Sequence, residues 1–314
     1  MPELPAADFS LRATLSSGQT FRWKERDGWW YGFLGASVLT VRQDGETLRY
    51  ESSDSAITPA RLTRYFALDL NLPEILSSIN VDMQIHQAIR RHRGLRVLRQ
   101  DGWETLASFI CASFNNIKRI EGMIERLCQA YGTPAALTSP PFAGPRGHAH
   151  CAEPPSAAAN GGGVNGFRGF TFPSPDVIAG APERALRALG LGYRAPYLKA
   201  TARLVADGRL PVDQLRRVEY DAVKAALLAC DGVGDKVADC VALFGFEKYE
   251  AFPIDVWMER ALRYYFRHRQ LTRKVAHDYA RRHFGPYAGY AQQYLYHYVR
   301  NLRSETSDKR QATG

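Results

Sequence analysis

Two glycines one residue apart, Gly232-Val233-Gly234, separate two helix-forming runs and restrict the backbone more tightly than any other stretch. Before them, Tyr220-Asp-Ala-Val-Lys-Ala-Ala-Leu-Leu-Ala229 repeats apolar residues at helical spacing. After them, Val237, Ala238, Val241, Ala242 and Phe244 line one face of a second helix that starts at Asp235. The pattern predicts a helix-hairpin-helix whose glycines let the backbone approach another chain closely. The second helix then presents unsatisfied N–H groups at its start, an arrangement that suits a phosphate. Gly232, Gly234 and Val237 are the candidate backbone contacts at this turn.

One turn into the second helix stands Lys236, and beyond that helix comes Phe252-Pro253-Ile254-Asp255. A lysine beside a positive helix end is expected to have a depressed pKa, because the dipole disfavours the ammonium form. A neutral amine can attack carbon and form a Schiff base. Asp255 precedes an amphipathic run (Val256, Met258, Ala261, Leu262, Tyr265) and so can cap a helix beginning there. Its carboxylate could equally stabilise a developing positive charge, or move a proton, near Lys236. Taken singly, a solvated lysine in a first helical turn and an N-cap aspartate are the commoner readings. The combination of Gly-Val-Gly, a lysine two residues on and Pro-x-Asp at the next helix start is what singles the pair out.

A formal charge of +9 favours a polyanionic partner, since clustered Lys and Arg gain from releasing counterions. The cysteines (111, 128, 151, 230 and 240) are irregularly spaced and odd in number, which suits reduced, buried thiols in a reducing compartment. The N-terminus has no apolar run after basic residues, and no stretch approaches a transmembrane length, so neither secretion nor a membrane is expected.

The first 100 residues read as strand-rich. Aromatic and β-branched runs at 29–34, 38–41 and 47–50 are separated by the hairpin signals Asp27-Gly28 and Asp44-Gly45, which predicts an antiparallel sheet. Short helices follow near 59–68 and 81–91. From Trp103 to Ala130 apolar residues keep a spacing of three to four, as one long core helix or a broken pair. Between 140 and 166 the composition turns to Pro, Gly, Ala and Ser, predicting a disordered insertion. It contains His148-Ala149-His150-Cys151, too few ligands for a metal site. Helices resume at 174–179, 182–189 and 195–207 and end with 272–284 and 287–302; 304–314 is a polar, frayed tail. The expected fold is α+β: an N-terminal antiparallel β-domain (1–100), then a mostly helical core (101–303).

The hairpin, Lys236 and Asp255 resemble the signature of the helix-hairpin-helix DNA glycosylases, specifically their 8-oxoguanine DNA glycosylase branch. The likeness extends along the chain. Ser17-Gly18-Gln19-Thr20-Phe21-Arg22-Trp23 is similar to the branch's N-terminal motif. Ser108-Phe109-Ile110-Cys111, Asn115-Asn116-Ile117-Lys118-Arg119-Ile120 and the run from Met123 to Cys128 resemble its central helix. Leu189-Gly190-Leu191-Gly192-Tyr193-Arg194-Ala195 and Gly285-Pro286-Tyr287-Ala288-Gly289-Tyr290-Ala291-Gln292 match two further motifs.

The resemblance implies an enzyme that flips a damaged nucleotide out of duplex DNA, because the reacting atoms are inaccessible in the stack. It implies Lys236 as nucleophile, Asp255 as its electrostatic partner, and strand cleavage by β-elimination from a Schiff base. Cys240 lies one helical turn beyond Lys236, and Gln292 and Tyr296 are likewise one turn apart, so each pair shares a helix face. By resemblance Cys240 and Tyr296 sandwich the base, Gln292 reads its Watson–Crick edge, and the Gly18 carbonyl accepts the N7 proton that 8-oxoguanine has and guanine lacks. Gly18 also has the plainer reading of a turn glycine. Tyr193 is implied as a wedge in the duplex, Arg194 and Arg119 as readers of the orphaned cytosine, and Asn115 and Asn116 as DNA contacts. Phe114 departs from the pattern, where the family has another asparagine inserted into the gap, and a ring could fill that gap by stacking. Trp257 departs too, replacing a histidine that touches phosphate.

No cofactor is implied: the four-cysteine iron–sulfur site of the endonuclease III branch has no counterpart, as no cysteine follows Cys240. The implied partner is double-stranded DNA carrying oxidised guanine, met by a monomer in the cytoplasm of a prokaryote or the nucleus of a eukaryote. Two alternatives stand beside this reading. A monofunctional alkylbase glycosylase uses the aspartate but lacks the lysine. A non-catalytic DNA-binding module leaves Lys236, Asp255, Gln292 and Tyr296 without a shared reason to be present.

Overall fold

A computed structural model describes residues 1–137, 167–266 and 273–311. The segment expected to be a disordered insertion, with its histidines and Cys151, lies outside the described residues. Strands β1 (Glu3–Pro5), β2 (Lys24–Arg26), β3 (Trp29–Leu34), β4 (Ser37–Asp44) and β5 (Thr47–Ser52) form one antiparallel sheet in the order β1-β5-β4-β3-β2. Asp27 and Gly28 both take positive φ, as a two-residue hairpin turn requires. The inward set Trp30, Leu39, Val41 and Leu48 is buried, together with Phe66 at the end of α2 (Pro59–Tyr65). A short helix α1 (Leu11–Leu15) precedes β2, while α3 (Leu72–Ile79) and α4 (Met83–Arg91) lead to the helical part.

That part opens with α5 (Gly102–Ala112) and α6 (Ile117–Tyr131), so the long apolar run of 103–130 is a broken pair. The break falls where Phe114 takes φ 51 and Asn116 caps α6, its side chain accepting from the Arg119 N–H. A two-stranded ribbon, β6 (Pro134–Leu137) and β7 (Phe167–Phe170), was not expected from its composition. It owes its place to tertiary contacts: Phe167 stacks on Tyr31, with ring centroids 5.4 Å apart, and Leu137 clusters with Phe33 and Val38. Then come α7 (Pro175–Gly180), α8 (Glu183–Leu186) with a π-turn over Arg187–Leu191, α9 (Arg194–Ala206), α10 (Val212–Leu215) and α11 (Tyr220–Leu228). The hairpin joins α11 to α12 (Asp235–Phe246), and α13 (Val256–Phe266), α14 (Arg273–Phe284) and α15 (Ala288–Gln311) follow. Residues 304–311, expected to fray, continue α15 instead, since no Gly or Pro interrupts the chain after Gly289 until its last residue.

Beneath the hairpin a buried carboxylate ties three helices together. Asp239 accepts from the Tyr220 hydroxyl at 2.6 Å, pairs with Lys224 Nζ at 3.1 Å and meets His277 Nε2 at 3.3 Å. Burial, partly opposed by Lys224, pushes its carboxyl up to about 6, and burial with Lys224 pushes His277 down to about 4. At neutral pH the pair is therefore carboxylate and neutral imidazole. Asp239→Ala would strand the Tyr220 hydroxyl and leave Lys224 only its longer contact with Asp235, at 3.5 Å. We expect a loss of about 3 kcal/mol, read as a fall of several degrees in thermal unfolding temperature.

Candidate active site

A hollow of about 460 Å³ opens between the α5–α6 turn, the start of α12 and α15. Gly18, Phe109, Lys236, Asp255, Trp257 and Tyr296 are on its walls. Lys236 is the second residue of α12, half-buried, with Nζ 5.0 Å from the centroid of the Phe109 ring. Asp255 caps α13 as its position predicts, Oδ1 accepting from the Met258 N–H at 2.8 Å.

The expectation of a depressed lysine pKa is overturned. Burial alone would lower it, but the Cys240 sulfur, the Asp255 carboxylate and Tyr296 outweigh burial, and the net direction is up. Burial holds both Cys240 and Tyr296 above their ordinary values. A full opposite charge nearby favours the ammonium more strongly than the partial charge of a helix end disfavours it. Cys240 shares a hydrogen bond with Lys236, and burial pushes its thiol up to about 11 against the pull of the lysine.

Gly18 takes φ +83, and a Cβ there would meet Ile117 Cδ1 and Arg300 Nη1 at 3.4 Å. Its loop is pinned from both sides: Gln19 Nε2 donates to the Thr14 and Arg96 carbonyls, Gln19 Oε1 accepts from the Leu98 N–H, and Gln293 Nε2 donates to the Ser17 carbonyl. The left-handed φ therefore favours glycine here, and the hydrogen bonds give the loop a fixed place on the wall. Tyr296 lies beside it. Gln292 and Cys240 are 5% and 4% exposed and are not among the residues lining the hollow; Gln292 Oε1 finds no hydrogen-bond partner among the described residues.

A second hollow of about 490 Å³ adjoins the first, sharing Asn115 and Lys118, and is cationic with Arg119, Arg126 and Arg194 on its walls. Asn115 Nδ2 approaches Met123 Sδ at 3.9 Å, and the Asn116 side chain is engaged in the α6 cap. The Arg119 side chain is exposed and makes no hydrogen bond or ion pair to the described residues. Arg194, expected to read a base, is instead 8% exposed: Nε donates to the Ser113 carbonyl at 2.9 Å, Nη2 reaches the same oxygen, and its guanidinium lies 4.4 Å from the Tyr193 ring centroid. The short Gly-Tyr-Arg turn leaves the guanidinium nearer to two carbonyls of the α5–α6 turn than to open solvent. Tyr193 stays 48% exposed, with its hydroxyl on the Ser113 carbonyl.

At the hairpin, Gly232 takes φ +77, and a Cβ there would fall 2.4 Å from Tyr197 Cδ2. Gly234 caps α12 without any side chain, and nothing stands near its missing Cβ. The Val237 side chain is buried, so only its backbone N–H can face a ligand. Sequence reasoning missed Arg300, one turn beyond Tyr296 on α15, whose buried Nη1 lacks a partner among the described residues. Its spacing from Tyr296 was the available signal.

Comparison with known proteins accounts for this assembly. Residues 107–283 match the HhH-GPD superfamily of base excision DNA repair proteins, and the chain belongs to that superfamily. Residues 3–106 match the N-terminal domain of 8-oxoguanine DNA glycosylase, which places the chain in that family. A probable N-glycosylase/DNA lyase of Methanothermobacter thermautotrophicus is 29% identical over 99% of each chain. The N-glycosylase/DNA lyase OGG1 of Arabidopsis thaliana is 31% identical over 94% of this chain and 78% of its own. The solved structure of Clostridium acetobutylicum 8-oxoguanine glycosylase/lyase, in complex with dsDNA containing cytosine opposite 8-oxoG, superposes with a TM-score of 0.82 at 26% identity, covering 96% of this chain and 99% of that one.

Proposed function

We propose that this chain is a bifunctional DNA glycosylase/AP lyase that extrudes 8-oxoguanine from duplex DNA and excises it, acting as a monomer. The observation that carries the proposal is the lysine–carboxylate pair on one wall of a base-sized hollow, with Gly18 and Tyr296 on the same walls. Lys236 first gives up its proton to solvent. Its lone pair then attacks C1′ as the C1′–N9 bond breaks, and the departing purine takes up a proton. Asp255 stabilises the positive charge that builds on the sugar. Opening of the C1′–O4′ bond yields a protonated imine. Loss of a C2′ proton expels the 3′ phosphate, and water then releases the lysine.

Damage selectivity is assigned to the Gly18 carbonyl, which would accept the N7 proton of the oxidised base. Against guanine the same oxygen faces a lone pair, a penalty of about 1–3 kcal/mol. Tyr296 supplies a stacking wall, and Gln292, whose Oε1 is unpartnered among the described residues, has capacity for a base edge. The first-turn amides at Gly234 and Val237, the cationic hollow and Arg119 are suited to the phosphates and the opposite strand.

The test is an oligonucleotide duplex carrying one 8-oxoguanine opposite cytosine, incubated with and without borohydride. The expected result is a nick at the lesion and, with borohydride, a protein–DNA adduct stable to denaturant. Release of 3-methyladenine from a second duplex carrying that base, without an adduct, would favour the alkylbase alternative, and binding of both duplexes without any product would favour the non-catalytic one.

A further inference from the structure

α15 carries a cation that the proposed chemistry leaves unused. Gln292, Tyr296 and Arg300 follow one another at four-residue steps, so they form a row along one face, about 12 Å from end to end. Tyr296 and Arg300 both line the hollow that holds Lys236 and Asp255. Arg300 Nη1 lies 3.4 Å from where a Gly18 Cβ would stand, and Tyr296 Cε1 lies 3.6 Å from the same point. The guanidinium is thus seated against the residue whose carbonyl is assigned to the damaged edge of the base, with the stacking wall beside it. Arginine is usually solvated on a protein surface. Here Nη1 is closed off from solvent and has no hydrogen-bond partner among the described residues. Burial raises the Glu121 carboxyl, and Lys24 and then Arg300 pull it back, yet no ion pair joins Arg300 to any acid among the described residues. Lys236 has Asp255 to answer its charge; Arg300 has no such group. A charged donor stripped of water is costly, and the cost is recovered when a ligand supplies the acceptor.

We propose that Arg300 is a second damage-recognition residue, donating to O8 of the extruded 8-oxoguanine and stabilising the charge that collects there as the base departs. This rests on the proposed base-excising activity. With N7–H bound to the Gly18 carbonyl, O6 and O8 lie on either side of that contact. Gln292, at the other end of the row, is placed for the Watson–Crick edge and so for the O6 side, which leaves O8 to Arg300. When the C1′–N9 bond breaks, its electron pair goes to the purine and spreads onto O8 and O6. The Lys236 lone pair forms the new bond to C1′, and the base takes up a proton from solvent at N9. Arg300 keeps its own protons throughout and contributes a charged hydrogen bond that strengthens as O8 gains charge. Guanine carries hydrogen at C8, so Arg300 finds no acceptor there. Gly18 and Arg300 then read one lesion twice, once through an acceptor and once through a donor.

Binding is the first test, in the Lys236→Gln background where no excision intervenes. The duplexes carry 8-oxoguanine, guanine or a tetrahydrofuran abasic analogue, each opposite cytosine. Adding Arg300→Met, which keeps an unbranched side chain but no donor, should weaken the 8-oxoguanine complex about tenfold and the other two by less than about threefold. Arg300→Lys should recover part of the preference, since an ammonium is still a charged donor. An equal loss across the three duplexes would mark a phosphate contact and overturn the inference. A preference for 8-oxoguanine that survives Arg300→Met intact overturns the inference alone. If Lys236→Gln itself shows no preference for 8-oxoguanine over guanine, the proposed substrate fails and the inference falls with it. The second test uses the otherwise wild-type enzyme in single turnover. Arg300→Met should slow 8-oxoguanine excision by about 100-fold, more than it weakens binding, because the contact strengthens in the transition state. Cleavage at a preformed abasic site, which has no base to stabilise, should change by less than about threefold. Equal losses in the two reactions overturn the inference.

Discussion

Lys236→Gln should abolish excision and trapping together while leaving the fold and duplex binding in place. The substitution keeps an unbranched polar side chain above Phe109 and can still hydrogen-bond Cys240, so packing changes little. It removes the lone pair on which every proposed covalent step depends, and a loss of about 10⁴-fold or more in single-turnover rate is expected. No borohydride adduct should form at any enzyme concentration. Circular dichroism and duplex affinity should match wild type, since the hairpin amides, Arg119 and the cationic hollow are untouched. An adduct formed by this variant at the wild-type rate would remove Lys236 from the mechanism.

Asp255→Asn should produce two effects of opposite sign. The carboxylate helps to hold Lys236 above its ordinary value, so the ammonium prevails at neutral pH. Below the lysine pKa, the wild-type rate should therefore climb about tenfold per pH unit. Removing the carboxylate lowers the lysine pKa and moves the bend of the profile to lower pH, enlarging the neutral fraction at any given pH. The same change withdraws the charge that stabilises the cationic sugar, and the plateau should fall by about 100-fold. A profile with a lowered plateau and an unmoved bend would show that something other than Asp255 retains the lysine proton. The folded-state pKa of Lys236 is raised, so its contribution to stability is complete below the ordinary lysine pKa and is lost as pH rises through the folded value. Asp255→Asn also preserves the capping geometry at Met258, because an asparagine oxygen can accept the same N–H. The kinetic change should then appear without loss of α13.

Local rules made much of this protein legible. The hairpin between α11 and α12 follows from glycine placement and helical periodicity, the cap at Asp255 from a short polar side chain before an apolar run, and the five-stranded sheet from alternating runs with Asp-Gly turns. Each depends on residues within a few positions of one another. The shared faces of Lys236 with Cys240 and of Gln292 with Tyr296 were likewise predictable, because a helix repeats every 3.6 residues. What spacing could not supply was the environment of each group across the fold. The helix end alone suggested a neutral Lys236; a carboxylate brought in from the next helix start reversed its direction. Arg194 looked free to read a base until the fold set it against the Ser113 carbonyl, and the β6–β7 ribbon exists because Phe33 and Tyr31 receive it. Chain order determines backbone conformation over a few residues, whereas charge, burial and hydrogen bonding depend on through-space distances of a few ångströms that only tertiary packing creates.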